Sequence, residues 1–238
     1  METKYSSTKI SGFVQKNSFE LAAWANNQVV CGIDEVGRGC LAGPLVTAAV
    51  IIPSGKSVEM LKDSKILTER QKSQAYTWII QNCCYGVGIC DNYAIDKQNI
   101  WQATLSCMKK ALIQLLSTCN QRPVSVLVDA MPLRLFDMAC NSTPVYYFNK
   151  GEGKSCSIAA ASIVAKVTRD EIMKKFEALF PGFGLAEHKG YGTKMHNDIL
   201  KNKRSLIIHR KSFLNNINTY KYADQKDELD GQQSIIGF

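Results

Sequence analysis

Gly32-Ile33-Asp34-Glu35-Val36-Gly37-Arg38-Gly39-Cys40-Leu41-Ala42-Gly43-Pro44 is the stretch on which the reading of the fold turns. It begins as a buried strand and ends as a glycine loop. Two adjacent acids stand at the changeover, and a basic residue between two glycines follows. Ionised carboxylates are costly to bury unpaired, so a strand ending in Asp-Glu is badly placed for a core. It is well placed to hold a divalent cation, because Mg²⁺ takes a few carboxylate oxygens together with water and substrate phosphate. The glycines let backbone N–H groups approach a ligand closely.

The segments around this stretch alternate in type. Residues 12–26 read as a short helix, and Val29 to Asp34 as a strand. Leu45 to Ile52 is a near-continuous apolar run rich in β-branched residues, which predicts a second central strand closed by Pro53-Ser54-Gly55. Thr68 is placed to cap a helix running to about Gln81. Tyr85 to Cys90 predicts a third strand, and the three together an antiparallel meander. Asn92 to about Ser117 reads as one long helix. Val124 to Asp129 follows as a fourth strand, parallel to its neighbour because a helix precedes it, and it too ends in an acid. Thr143 to Phe148 is a shorter fifth strand. Glu152 then sits in the glycine loop 149–155, before an alanine-rich helix from Cys156 to about Leu179. Residues 185–193 read as a loop and 194–203 as a helix. The chain divides into an N-terminal extension with a helix (1–27), a catalytic α/β domain with a helical C-terminal segment (28–213) and a polar tail (214–238).

Composition bounds the function classes. The 238 residues are 45% hydrophobic and 21% charged, enough for a sizeable core. No apolar run approaches the ~20 residues of a membrane-spanning helix, and the first residues lack the apolar core of a secretory signal. The nine cysteines form no C-x-x-C pair, which argues against structural zinc and suits free thiols in a reducing cytoplasm. The net charge is +8. Residues 221–238 carry two lysines against four acids, so the body before them is more basic than the whole. A basic body attracts polyanions, nucleic acid first among them.

The acids converge in this scheme. If the first and fourth strands are parallel neighbours, Asp34 and Asp129 emerge together at the carboxyl edge, where open α/β sheets bind ligands. Glu152 comes in from the side. Asp34 and Glu35 can share a site only if the strand is already breaking, as Gly37 and Gly39 suggest. Four carboxylates repel unless cations neutralise them, and two Mg²⁺ ions would do so while activating a water and stabilising a leaving oxygen. Taken singly, Asp129 or Glu152 is as well explained by a helix cap or a surface ion pair; the set together favours metal.

Asp34-Glu35-Val36-Gly37-Arg38-Gly39, Asp63-Ser64-Lys65, Val128-Asp129, Lys150-Gly151-Glu152, Ser157 to Ile163 and His188-Lys189-Gly190-Tyr191-Gly192-Thr193 closely resemble the motifs of the ribonuclease HII family, the type 2 ribonucleases H. The match runs in order from about Val30 to Phe213. The related type III enzymes carry an extra N-terminal domain, and the 33 residues before Asp34 favour type II. The resemblance implies an RNase H-like fold, with a mixed five-stranded sheet flanked by helices and a helical C-terminal segment. It implies endonucleolytic hydrolysis of RNA in RNA–DNA hybrids and cleavage 5′ of single ribonucleotides in duplex DNA, leaving 3′-hydroxyl and 5′-phosphate ends. Such activity serves ribonucleotide excision repair and DNA replication. It implies Mg²⁺ or Mn²⁺ held by Asp34, Glu35, Asp129 and Glu152, a 2′-OH read by the backbone of Gly37-Arg38-Gly39, and a sugar at the RNA-to-DNA junction packed by Tyr191. A monomer is expected.

Three positions depart from the family pattern. Glu152 stands where Asp is usual, one methylene longer; Cys40 where Pro is frequent; Ile66 where a second Lys is common. Lys65 is the leading phosphate contact, with Lys154, Lys166, Lys189 and Arg210 behind it. His188, His196 and His209 read as structural, because a carboxylate site suits Mg²⁺ without them. The tail ends Gln232-Gln233-Ser234-Ile235-Ile236-Gly237-Phe238 and resembles short sliding-clamp-binding peptides, with Gln233, Ile236 and Phe238 at one common spacing. The alternatives are another metal nuclease on the same fold and a non-catalytic hybrid-binding protein.

Overall fold

The computed structural model describes residues 7–56, 58–61, 64–135, 142–203 and 205–214. The elements are β1 (Thr8–Lys9), α1 (Ser18–Ala25), β2 (Val30–Val36), β3 (Leu45–Ile51), α2 (Glu69–Asn82), β4 (Cys84–Cys90), α3 (Asn92–Gln98), α4 (Ile100–Thr118), β5 (Ser125–Asp129), β6 (Val145–Phe148), α5 (Cys156–Leu179), α6 (Leu185–His188), α7 (Lys194–Asn202) and α8 (Lys211–Leu214). The strands form one mixed sheet in the order β1-β6-β5-β2-β3-β4. β2, β3 and β4 make the antiparallel meander, and β5 and β6 add in parallel on the other side of β2.

The sheet has six strands, not five. Thr8–Lys9 pairs with Tyr146 and Tyr147 at the β6 edge. Two residues carry no periodicity, so this strand had no signature in the sequence. The helix expected over 12–26 is confined to Ser18–Ala25. The helix expected over 92–117 is two helices, broken where Asn99 adopts φ 69° and caps α4 by accepting from the Gln102 N–H at 3.1 Å. The 185–193 loop opens with one turn of helix, α6. Thr68 caps α2 with the expected geometry, its hydroxyl and the Gln71 side chain bonding reciprocally to backbone N–H groups.

Helices cover both faces of the sheet. On one face Cys31, Ile33, Ala49, Ile51 and Val128 pack against Met108, Ala111, Leu112 and Leu115 of α4. On the other, Val46, Ala48 and Val50 pack against Ala160, Ala161, Ile163 and Val164 of α5 and Ala75 and Ile79 of α2. The start of α5 lies almost on top of β2. A Cβ on Gly32 would sit 2.1 Å from the Ser157 carbonyl carbon, so only glycine allows this approach. Ser155 caps α5, and the buried Glu20 of α1 accepts from the Ser155 hydroxyl and, at 3.1 Å, from the Ser157 N–H. A carboxylate at a helix N-terminus is favourable. These contacts tie α1 to the end of the 149–155 loop and to the start of α5.

Candidate active site

β2 and β5 are parallel, with Ile33 opposite Val128, so Asp34 and Asp129 stand level at the carboxyl edge. Glu152 arrives in a 3-10 turn, Gly151–Gly153, just before α5. Asp34 is 4% exposed and Glu152 5%. Asp129 Oδ1 accepts from the Gly151 N–H at 2.8 Å, which ties the third acid to the loop of the fourth.

The strand does not break at Asp34, contrary to the expectation. β2 continues to Val36, and the turn falls at Gly37, φ 92°. Alternation along β2 starts Glu35 from the opposite face to Asp34. Yet at the strand's end its carboxylate stays close enough to Asp34 and Asp129 for the charges to raise one another, so a break in the strand is not needed to bring them together. The Asp34 carboxylate accepts the Glu35 N–H at 2.7 Å, and Glu35 Oε1 pairs with Arg38 at 3.3 Å.

The electrostatics show how close the acids are. Burial first, then the carboxylates of Glu35, Asp129 and Glu152, hold the Asp34 carboxyl well above the usual range. Burial pushes Glu35 up to about 7, with Asp129 adding to the shift and Arg38 opposing it. Glu35 Oε2 is buried without a hydrogen-bond partner. Among the described residues no three His, Cys, Asp or Glu side chains close a ready-made metal cage. Glu152 explains part of this. Its Oε2 accepts from the Ser64 N–H at 2.8 Å and the Ser64 hydroxyl at 3.2 Å, and its Oε1 accepts from Lys65 at 3.0 Å. The Ser64 hydroxyl in turn meets that of Ser162 at 3.0 Å. A buried cluster of mutually repelling carboxylates with an orphaned oxygen fits a divalent cation better than it fits a core.

The Gly37-Arg38-Gly39 loop is fixed from beneath by two buried arginines. Arg169 of α5 donates to the carbonyls of Pro44 at 2.9 Å, Lys189 at 2.8 Å and Ala42 at 3.2 Å. Arg210 donates to Arg38 O at 2.9 Å and Gly43 O at 3.0 Å. Both are fully buried, and burial pulls Arg210 down to about 10. Arg210 is thus a loop clamp, not the phosphate contact its charge suggested. Tyr191, in the connection after α6, packs against this loop: Leu41 N–H donates to Gly190 O at 2.8 Å, Cys40 and Tyr191 form an isolated β-bridge, and the Arg169 guanidinium lies 5.7 Å from the Tyr191 ring. Tyr191 keeps 39% of its surface exposed, and burial of its remainder raises its phenol. Cys40, buried completely, packs this junction.

The other basic candidates scatter. Lys65 is turned onto Glu152, Lys166 pairs with Asp170 at 2.8 Å, Lys189 donates to Ala186 O, and Lys154 stands over the Phe148 ring at 5.4 Å. Ile66 is exposed. Asp63 and the tail residues Gln233, Ile236 and Phe238 lie outside the described residues. Ser64, Ser162 and Arg169 were not singled out from the sequence. Ser64 and Ser162 fell within recognised motifs, but nothing marked their hydroxyls; Arg169 looked like any charge on a helix.

This sheet, with acids converging at the carboxyl edge and a clamped glycine loop beside them, defines an RNase H-like fold. The chain matches the family model of ribonuclease HII over residues 31–216. It is 44% identical over 187 residues to a ribonuclease HII of Ligilactobacillus salivarius, covering 78% of this chain and 69% of the relative. Ribonuclease H2 of Pyrococcus horikoshii OT3 superposes with a TM-score of 0.62 at 26% identity, covering 78% of this chain and 93% of that one. A ribonuclease HII of Archaeoglobus fulgidus, solved in complex with PCNA, gives 0.60 at 25% identity, covering 73% and 87%. The chain belongs to the ribonuclease HII family and is a ribonuclease H.

Proposed function

We propose that the protein hydrolyses the RNA strand of RNA–DNA hybrids and cuts on the 5′ side of single ribonucleotides embedded in duplex DNA, leaving 3′-hydroxyl and 5′-phosphate ends. The observation that carries this reading is the buried Asp34 carboxylate, repelled by three other acids, near the end of the strand that runs into the clamped 37–44 loop, to which Tyr191 is bridged at Cys40. Asp34, Glu35, Asp129 and Glu152 would hold Mg²⁺ or Mn²⁺. Such ions, when bound, supply an activated water and neutralise charge at the leaving oxygen. The chain's own residues do the rest. The Gly37-Arg38-Gly39 backbone tests for the 2′-OH, which is what separates RNA from DNA at one nucleotide. Tyr191 offers a flat face to the sugar at the RNA-to-DNA junction. Glu152, one methylene longer than the usual Asp, still supplies an oxygen ligand.

The deciding assay is a duplex carrying one ribonucleotide, incubated with Mg²⁺ or Mn²⁺, with Asp34→Asn as control and the product ends mapped. Cleavage 5′ of the ribonucleotide by the wild type alone supports the reading. Binding without cleavage in either metal overturns it in favour of a non-catalytic hybrid-binding protein.

We place the protein in the cytoplasm as a monomer acting in ribonucleotide repair or primer removal. Among the described residues no helix is long and apolar enough to cross a membrane. The tail residues Gln233, Ile236 and Phe238 are proposed to bind a sliding clamp. The Archaeoglobus relative assembled with PCNA lends this support. Deletion of 232–238 should abolish co-elution with the clamp, and an intact protein that never co-elutes ends the idea.

A further inference from the structure

His188, His196 and His209 are spread over three segments of sequence and meet in one buried cluster, 7%, 0% and 2% exposed. His188 and His196 stack with centroids 4.1 Å apart and planes 13° from parallel. His196 and His209 join nitrogen to nitrogen, Nε2 to Nε2, at 3.1 Å. The acids of the site do not use them.

Their partners fix every proton. A backbone N–H can only donate, and a backbone carbonyl can only accept. Leu206 N–H donates to His209 Nδ1 at 2.9 Å, so that nitrogen is bare and His209 carries its proton on Nε2. The Leu206 carbonyl also lies 3.2 Å from His209 Nδ1, but a proton there would leave two bare Nε2 atoms facing each other, because His196 keeps its own proton on Nδ1 to donate to Tyr191 O. His209 Nε2–H then donates to His196 Nε2, which leaves the His196 proton on Nδ1. Nδ1–H donates to the Tyr191 carbonyl at 2.9 Å. In His188, Nδ1 accepts from the Gly190 N–H at 3.0 Å and Nε2–H donates to Phe183 O at 2.7 Å. All six ring nitrogens are used, with one proton per ring. An added proton on His196 would set two N–H groups against each other.

The geometry points to His196 as a positioning residue for Tyr191: a one-way hydrogen-bond relay, Leu206 to His209 to His196 to Tyr191 O, sets the backbone that carries the junction-reading ring. Stacked His188 holds the relay's last ring and grips Gly190. That glycine has φ 79° and no room for a Cβ beside Ala42 O, and its carbonyl accepts from the Leu41 and Ala42 N–H groups at 2.8 and 3.3 Å, joining the Tyr191 loop to the 37–44 loop. The inference rests on the proposed reading of Tyr191 as the residue that packs the sugar at the RNA-to-DNA junction.

The test compares His196→Asn, His196→Gln and Tyr191→Ala on a one-ribonucleotide duplex and on a uniform RNA–DNA hybrid. Asn places an amide N–H where Nδ1–H was and preserves the bond to Tyr191 O. Gln places its amide at the Nε2 end and leaves that carbonyl without its donor. Gln and Tyr191→Ala should each lower kcat/KM on the one-ribonucleotide duplex by about ten-fold, with a smaller loss on the hybrid, while Asn keeps most of the activity. Nitrogen-15 spectra of the rings should show Nδ1–H in His196 and Nε2–H in His188 and His209. Equal losses for Asn and Gln with equal falls in melting temperature, or a different tautomer in His196, overturn the inference. A silent Gln beside a damaged Tyr191→Ala overturns the inference alone; a silent Tyr191→Ala overturns the reading of Tyr191 and the inference with it.

Discussion

Lys65 holds Glu152: its ammonium lies 3.0 Å from Oε1 of the fourth acid, which is itself buried. The lysine is 77% exposed, so the pair is worth only about 0–1 kcal/mol to the fold. Its consequence lies in competition, because a bound cation and the Lys65 ammonium draw on the same carboxylate. Lys65→Met is expected to leave the melting temperature nearly unchanged and to lower the metal concentration for half-maximal activity several-fold. A metal titration read at saturating substrate checks this. An unchanged midpoint, together with weaker substrate binding and a shallower salt dependence, would make Lys65 a phosphate contact instead.

Gly37 and Gly39 separate folding from recognition. Gly37 has φ 92°, and a Cβ there would meet Arg169 Nε at 2.3 Å. Gly37→Ala should cost about 1–3 kcal/mol of stability in urea unfolding. A Cβ on Gly39 meets nothing within 4 Å, and its φ needs no glycine. Gly39→Ala should therefore unfold within about 0.5 kcal/mol of wild type yet, on the proposed reading of this loop, cut the one-ribonucleotide duplex poorly, because the added methyl would crowd the open space beside the backbone proposed to read the sugar. Full activity in a stable Gly39→Ala protein would remove this loop from 2′-OH recognition.

Asp34 is a stability liability without a cation. Burial and three neighbouring carboxylates oppose its ionised form, so Asp34→Asn should raise the melting temperature in a chelating buffer by several degrees while abolishing cleavage. Mg²⁺ should reverse the order. A ligand that binds only the folded state adds about 2.7 kcal/mol at 100 times its Kd, and the wild type should gain this while the variant gains less. Scanning calorimetry with and without Mg²⁺ measures both; equal gains would place the cation elsewhere.

The parts legible in the sequence were those in which one residue type carries its own constraint. Asp34 and Asp129 end apolar runs, and a run that ends in an acid marks a sheet edge whether or not its neighbours are known. Thr68 announced a helix start as a cap residue, and the structure adds the Gln71 side chain that completes the capping box. What escaped depends on partners far away in the chain. Arg169 carries no signal in the sequence and Arg210 reads only as a phosphate candidate, because only the folded loops bring Pro44, Lys189 and Arg38 carbonyls to their guanidinium groups. The three histidines have no common period, so nothing local foretold their cluster. Asn99 broke a helix whose apolar pattern runs straight through it, since an asparagine at positive φ leaves no mark on hydrophobic spacing. The pairing of Lys65 with Glu152 is likewise invisible locally, since the two lie 87 positions apart.

The buried histidines also set an acid limit to the fold. Burial first holds His196 and His209 down at about 4 in the native state, against about 6.5 in an unfolded chain. The native state therefore binds fewer protons between those values. Their contribution is fully present above about pH 6.5 and is lost as pH falls towards 4, with a slope of about 1.4 kcal/mol per pH unit for each ring. Asp34 and Glu35 act in the opposite sense: their raised carboxyls take up protons in the folded state first, which stabilises it as pH falls. The histidine effect is cleanest in an Asp34→Asn, Glu35→Gln background. There, the urea midpoint should fall steadily from pH 7 to pH 5. A further His209→Gln substitution lowers the midpoint at pH 7 but flattens its fall, because one proton-accepting ring has gone. A pH profile as steep as before the His209 change would mean that the rings titrate normally and that the relay does not hold them neutral.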